Sequence, residues 1–407
     1  MKRSFNKIFF SLAALSLMTS VFITGCRKED EENPSANCNG SPAISSVTTP
    51  TNRKADIKGA KLDDWVILKG TNLCSISKIT VNNIEVSIKE AYVTGNEITF
   101  KIPKEVPKEV TNQIVVSGSD GQAKVDFTVY MAPLLLYGYG GPTEEFTPAG
   151  QNLIIKAKNL DLYGFTQANT TVKFGAVEAK PTKLTAEEIH VVVPANLGEN
   201  TAVVVSNGAT TQEVAVKYKD MRHVIYSMDN GISSWTGIGV VNGPTPAPID
   251  RNYAVAAGAY AGEWSWSEIF HFANNQPLKN YGITAGDVKR YQVKFEVNVP
   301  KDWTSNPLRI WYRPAQGTWN YNFPWGADAS SGAAFKTSGW QTVTIPLSDF
   351  MFSEGDAGDK KGTKVKELLE SDLIDYKEVR IFIQGPDKKE MTVYWDNFRI
   401  VPVPVLE

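Results

Sequence analysis

The sequence predicts an all-β chain: two tandem β-sandwich modules followed by a larger β-sandwich domain of jelly-roll type. Three observations carry this reading. Short runs of alternating apolar and polar residues, separated by Gly, Asn and Pro turn signals, recur from about residue 42 to the end. One pattern occurs twice in succession at an offset of about 90 residues, the size of a small domain. After residue 220 the chain exceeds such a module and changes composition, holding nine of its ten tryptophans.

Residues 1–25 come before any of these strands and have the form of an export signal. Lys2, Arg3 and Lys7 supply a basic start, and Ile8 to Ile23 an apolar stretch, closing at Ile23-Thr24-Gly25-Cys26. Small residues before the cleavage point mark a signal peptide rather than a spanning helix. The cysteine after Thr-Gly resembles a bacterial lipobox, which implies lipidation of Cys26 and anchoring without spanning. Residues 26–41 form an acidic flexible linker, opening with Arg27-Lys28-Glu29-Asp30-Glu31-Glu32. That run resembles the acidic signal that sends some lipoproteins to the outer face of the outer membrane. Two cysteines then remain, Cys38 and Cys74, an even pair that an exported chain can bridge; free thiols are the other reading.

Residues 42–131 and 132–219 are the two repeated modules. Trp65-Val66-Ile67-Leu68-Lys69-Gly70-Thr71-Asn72-Leu73 answers to Leu153-Ile154-Ile155-Lys156-Ala157-Lys158-Asn159-Leu160. Glu97–Pro103 answers to Glu188–Pro194, and Val115-Val116-Ser117-Gly118 to Val204-Val205-Ser206-Asn207-Gly208. Several short strands with turns between them indicate antiparallel sandwiches. The Gly-Thr-Asn-Leu step, the strand ending in proline and the closing Val-Val-Ser-Gly strand resemble IPT/TIG immunoglobulin-like domains. The second copy departs with Ala157-Lys158 in place of Gly-Thr. Neither module shows a catalytic cluster, and His190 falls in a strand pattern as a structural residue. Both are expected to act as spacers. Tyr137, Tyr139 and Tyr163 suit a secondary contact site or, more simply, a packed interdomain surface.

Residues 220–407 carry strand patterns at Tyr291–Pro300, Leu308–Pro314, Trp340–Pro346, Glu378–Gln384 and Met391–Val401, with a short helix expected around Val365–Leu373. Gly339-Trp340-Gln341-Thr342-Val343-Thr344-Ile345-Pro346 and Val393-Tyr394-Trp395-Asp396-Asn397-Phe398-Arg399-Ile400 look like the late strands of jelly-roll carbohydrate-binding modules. Taken with the lipobox and the tandem modules, the chain resembles the surface glycan-binding proteins of SusC/SusD-type polysaccharide uptake systems. That resemblance implies a monomeric lipoprotein at the cell surface that binds a plant-type β-glucan, xyloglucan first. It implies a SusC/SusD-type outer-membrane transporter as partner.

The aromatic residues point the same way, because the faces of sugar rings suit indole surface that one core has difficulty hiding. In Arg309-Ile310-Trp311-Tyr312-Arg313, alternation puts Ile310 and Tyr312 on one face and Arg309, Trp311 and Arg313 on the other. Arginines seldom line a core, so Trp311 should be open; a slip of one residue would make Tyr312 the platform instead. Trp319, Asn320, Tyr321, Asn322 and Trp325 follow in what reads as a loop suited to stacking and hydrogen bonding. Trp264 and Trp266 form a third candidate beside Glu268. The same parity reaches Phe270 and Phe272, so that row fits either a binding face or the core. Trp340 and Trp395 are expected in the core.

Net charge of −2 and a pI near 6.1 give no electrostatic ground for nucleic-acid binding. A jelly-roll hydrolase would need paired carboxylates. Glu263, Glu268, Asp328 and Asp396 are available but form no tight acidic motif. Asp396 reads as a structural residue or a calcium ligand, and no cofactor is expected beyond such a structural ion. His223 and His271 show no metal spacing. A binder is therefore favoured over an enzyme, with a protein-binding adhesin as the other alternative.

Overall fold

The computed structural model describes residues 38–107, 109–229, 239–260, 266–274, 276–303, 308–313, 317–323, 335–352, 361–374, 377–384 and 388–406. The signal segment, Cys26 and most of the linker lie outside them, as do Glu263, Trp264, Trp325 and Asp328. The chain divides into two compact units, residues 1–132 and 133–407.

In the first unit, one four-stranded sheet runs in the order Ala43–Thr48, Trp65–Thr71, Glu97–Lys101, Tyr92–Val93. The second runs Ile84–Val86, Ile76–Val81, Gln113–Gly118, Gly121–Asp126. Val66, Leu68, Ile98 and Phe100 from one sheet, and Ile79, Val81, Ile114 and Val116 from the other, are fully buried alternating residues. Cys38 and Cys74 form a disulfide with Cα atoms 6.0 Å apart.

The module at the start of the second unit repeats this strand order. Leu135–Gly140, Asn152–Lys158, Glu188–Val192 and Pro181–Leu184 form one sheet. Val177–Ala179, Thr171–Phe174, Val203–Ser206 and Thr211–Glu213 form the other. Asn72 and Asn159 both adopt left-handed backbone, φ 57° and 66°, at the equivalent step. Asparagine tolerates that conformation, which is why the motif keeps Asn where its other positions vary. His190 is structural, sitting between Asn152 and Glu188.

The C-terminal domain packs two sheets face to face. The six-stranded one runs Gly239–Val241, Tyr253–Tyr260, Lys389–Pro402, Tyr291–Asn298, Gln341–Pro346, with Val224–Tyr226 pairing on Lys389–Pro402. The five-stranded one is built from β1 (Trp266–Asn274), β2 (Leu308–Arg313), β3 (Trp319–Asn322), β4 (Met351–Phe352) and β5 (Lys377–Gln384), in the order β1-β5-β2-β3-β4. Between them lies an aromatic core in which Phe295 stacks on Trp395 at 3.8 Å and Phe270 on Phe272 at 5.7 Å. The expected helix is shorter than its sequence pattern: only Glu370–Ile374 is helical, and Glu367–Leu368 pairs as a strand with Gly286–Asp287.

The outer face of the six-stranded sheet is covered by the preceding module. Arg399 donates to both oxygens of Glu296 within its own sheet and from Nε to Glu145 of the module, at 2.8–2.9 Å. Lys294 pairs with Glu144 across the same junction, and the Thr342 N–H donates to the Pro142 carbonyl at 2.6 Å. Phe146 of the module packs with Val224, Ile249, Tyr253 and Trp340. The second module thus belongs to the same compact unit as the C-terminal domain.

Candidate functional site

The open face of the five-stranded sheet is set by strand register. Ile310 and Tyr312 of β2 stand opposite Ile381 and Val379 of β5, and all four are buried. Arg309, Trp311 and Arg313 therefore alternate onto the other face, where Trp311 is half-buried and Arg313 exposed. Trp311 is opposite Arg380 and Asn320, and Arg309 opposite Phe382 and Asn322.

Phe382 meets the Trp311 ring edge-on, centroids 5.3 Å apart, which fixes the indole without covering its whole face. Arg309 Nε donates to Asn322 Oδ1 at 2.7 Å. Beside the indole runs a charged network. Glu378 meets His271 at 3.1 Å, Arg380 at 3.1 Å and Arg313 at 3.5 Å, and Glu268 reaches Arg380 at 3.7 Å. Both carboxylates are thereby held in place, with oxygen lone pairs in a fixed frame around an apolar ring. An apolar plate rimmed by positioned donors and acceptors is the arrangement that engages a pyranose, C–H face on the ring and hydroxyls on the rim.

Several sequence-predicted positions fall elsewhere. Trp319 is 2% exposed and Tyr312 1% exposed, packed edge-to-face at 5.6 Å inside the sandwich, so neither is a platform. The reason is register: Tyr312 pairs with Trp319, and opposed residues share a face. What read as a loop is β3, which turns Trp319 and Tyr321 inward and keeps Asn320 and Asn322 outward. Tyr321 is half-buried against Phe323 and Phe350. Trp303, Trp319 and Trp395 all fit within the one core, and Trp340 fills the junction with the preceding module, so most of the described tryptophans are not surplus surface.

The shared parity of Glu268, Phe270 and Phe272 is broken by a bulge, while Trp264 lies outside the described residues. Glu268 pairs with Phe382 on the open face, whereas Phe270 pairs with Ile381 in the core, with Ile269 as the extra residue. The backbone of Trp266 pairs with Gln384 in the same register as Glu268. Sequence reasoning missed Phe382, Arg380, Glu378 and His271, all on this face; the alternation of β5 behind Val379, Ile381 and Ile383 is the signal that could have found the first three. Asp396 is buried and accepts from the Asn397 N–H at 2.8 Å, and burial followed by the charge of Glu296 holds its carboxyl well above the usual range. Among the described residues no three His, Cys, Asp or Glu side chains converge as a metal site.

This fold and face can be set beside known proteins. The family described as surface glycan-binding protein B xyloglucan binding domain matches residues 218–402. The C-terminal domain belongs to this family. An IPT/TIG domain matches residues 141–218, the copy carrying Ala157-Lys158. The crystal structure of the surface glycan-binding protein PbSGBP-B from Prevotella bryantii has the same fold. It aligns at a TM-score of 0.55 and 19% identity over 89% of this chain and 99% of that one. SGBP-B from a complex xyloglucan utilization locus in Bacteroides uniformis aligns at 0.41 and 16%, over 89% and 100%. No curated protein matches the chain. The SGBP-B family is one of non-catalytic surface glycan binders, which sets the hydrolase alternative aside.

Proposed function

We propose that this SGBP-B-type chain is a lipid-anchored outer-membrane protein that captures a β-glucan-class polysaccharide, xyloglucan first, and passes it to a SusC/SusD-type transporter. The observation that carries the ligand class is Trp311, a half-buried indole on the open face, braced by Phe382 and rimmed by Arg309, Asn320, Arg313 and Glu268. The lipobox ending at Cys26 supports the anchor, and the family description supports xyloglucan. The reading calls on no cofactor and on a single copy of the chain.

Magnitudes suit a weak binder. One indole face covering about 80 Å² of sugar contributes about 2 kcal/mol gross. Two or three such contacts total about 4–6 kcal/mol gross, which after the cost of immobilisation gives dissociation constants of roughly millimolar or weaker. Many anchored copies on one long polymer make that sufficient.

Affinity electrophoresis of the chain from residue 27 against xyloglucan, mixed-linkage β-glucan, laminarin, mannan and xylan tests the reading. Retardation by xyloglucan that Trp311→Ala abolishes supports it. Retardation by none of the five sinks β-glycan binding and leaves a protein-binding adhesin.

A further inference from the structure

A cleft of about 460 Å³ lies between the second module and the outer face of the six-stranded sheet, on the side of the sandwich away from Trp311. Its lining includes Tyr137, half-buried on the module, and the apolar strip from Val401 to Val405. The polar part of the lining comes from both domains. Glu145 is 3% exposed at the side chain; its Oε1 accepts from Arg399, and its Oε2 stands 4.0 Å from Lys294 Nζ, beyond hydrogen-bond reach. Gln292 and Thr344 reach the cleft from adjacent strands.

We infer that this cleft is a second saccharide site, taking a neutral unit of one or two sugars. The volume falls in the range of small-molecule sites. Charge argues against an ion: Lys294 is paired with Glu144, and Arg222 is held by Asp220 through contacts of 2.8 and 2.5 Å. What these pairs still offer is a mixture of N–H donors and carboxylate lone pairs, to which Gln292 and Thr344 add amide and hydroxyl groups. A ligand that both donates and accepts around its rim, with an apolar C–H face for Tyr137, is a sugar. Glu144 supports a built site, since it holds a left-handed φ of 42° while bridging to Lys294, a conformation uncommon for a residue with a side chain.

The inference rests on the chain being a glycan binder, and saturation-transfer NMR on the chain from residue 27 separates the two claims. Cellobiose, xylobiose and lactose are the probes. In Trp311→Ala, which disables the open face, at least one sugar should keep a signal. That signal should fall at least fivefold when Tyr137→Ala or Ala215→Trp is added, the latter placing an indole in the cleft mouth from an exposed position. Unchanged melting of each variant shows that it is folded. Loss of all signal in Trp311→Ala alone overturns the cleft and leaves the open-face reading standing. A residual signal indifferent to both cleft variants overturns it equally. Absence of sugar signal and of polymer retardation in the unaltered chain removes both claims.

Discussion

Arg399 Nε donates to Glu145 Oε1 at 2.9 Å across the junction between the second module and the C-terminal domain, with both side chains almost wholly buried. Its guanidinium also lies 4.8 Å from the ring centre of Phe146. Removing one partner of such a pair strands the other's charge in a site without water. Arg399→Ala should destabilise the 133–407 unit by about 3–5 kcal/mol, read by urea unfolding. A fragment cut at residue 220 should show a comparable loss, because it lacks Glu145.

The same cluster gives the unit a pH dependence. Burial pushes the Glu296 carboxyl up to about 7 against the pull of Arg399. Burial also acts on Glu145, but the Arg399 and Lys294 charges outweigh it and hold that group below the ordinary range. A raised carboxyl binds its proton more tightly when folded, so its contribution is full below the unfolded pKa and lost as pH rises through 7. For Glu296 this is about 3 kcal/mol between pH 4 and 8, and Asp396 acts in the same direction. The depressed Glu145 runs the other way, losing its contribution only as pH falls below the carboxylate range. Melting temperature should therefore fall from pH 5 to pH 8, and Glu296→Gln should flatten the slope. A slope unaltered by that change would place the titration elsewhere.

Trp311 and Trp319 should separate cleanly in mutagenesis. Trp311→Ala removes a half-buried ring of the open face and should cost at least tenfold in glycan affinity while moving stability by less than about 1.5 kcal/mol. Trp319→Ala opens a cavity in the core and should cost about 3–5 kcal/mol of stability, measured by denaturant titration.

Reduction of Cys38–Cys74 should act on the N-terminal unit alone. The bridge spans a sequence separation of 36 residues. Freeing a loop of that length costs about 4 kcal/mol in the chain-entropy view. Calorimetry with and without reductant should show one transition moving down and that of the 133–407 unit unmoved.

Strands were legible wherever one face is buried, because alternation records that fact locally. Val293, Phe295 and Val297 are buried as their spacing requires, and the parity of Arg309 to Arg313 puts Trp311 outside. Trp319 was not legible, since its face depends on which residue of β2 it meets, a pairing with no local trace. The bulge at Ile269 was hidden for a similar reason: an extra residue changes the phase without changing the composition. Arg399 and Glu296 carry no local mark of burial in the sequence. Only the module that covers them turns those positions into interior ones.

The bulge has a consequence for how this sheet can vary. Because Ile269 resets the alternation, Glu268 and Phe270 answer to different demands although they share a strand and lie two residues apart. Substitutions up to Glu268 can alter what the open face contacts while Phe270 and Phe272 stay fixed under the sandwich. Deleting Ile269 would leave plain alternation, with Glu268 still facing out and Phe270 still facing in, so the change would remove the bulge without exchanging the two roles. Ile269 is thus dispensable for the face each neighbour takes, and what it sets is the local bend and twist of the strand that carries Glu268.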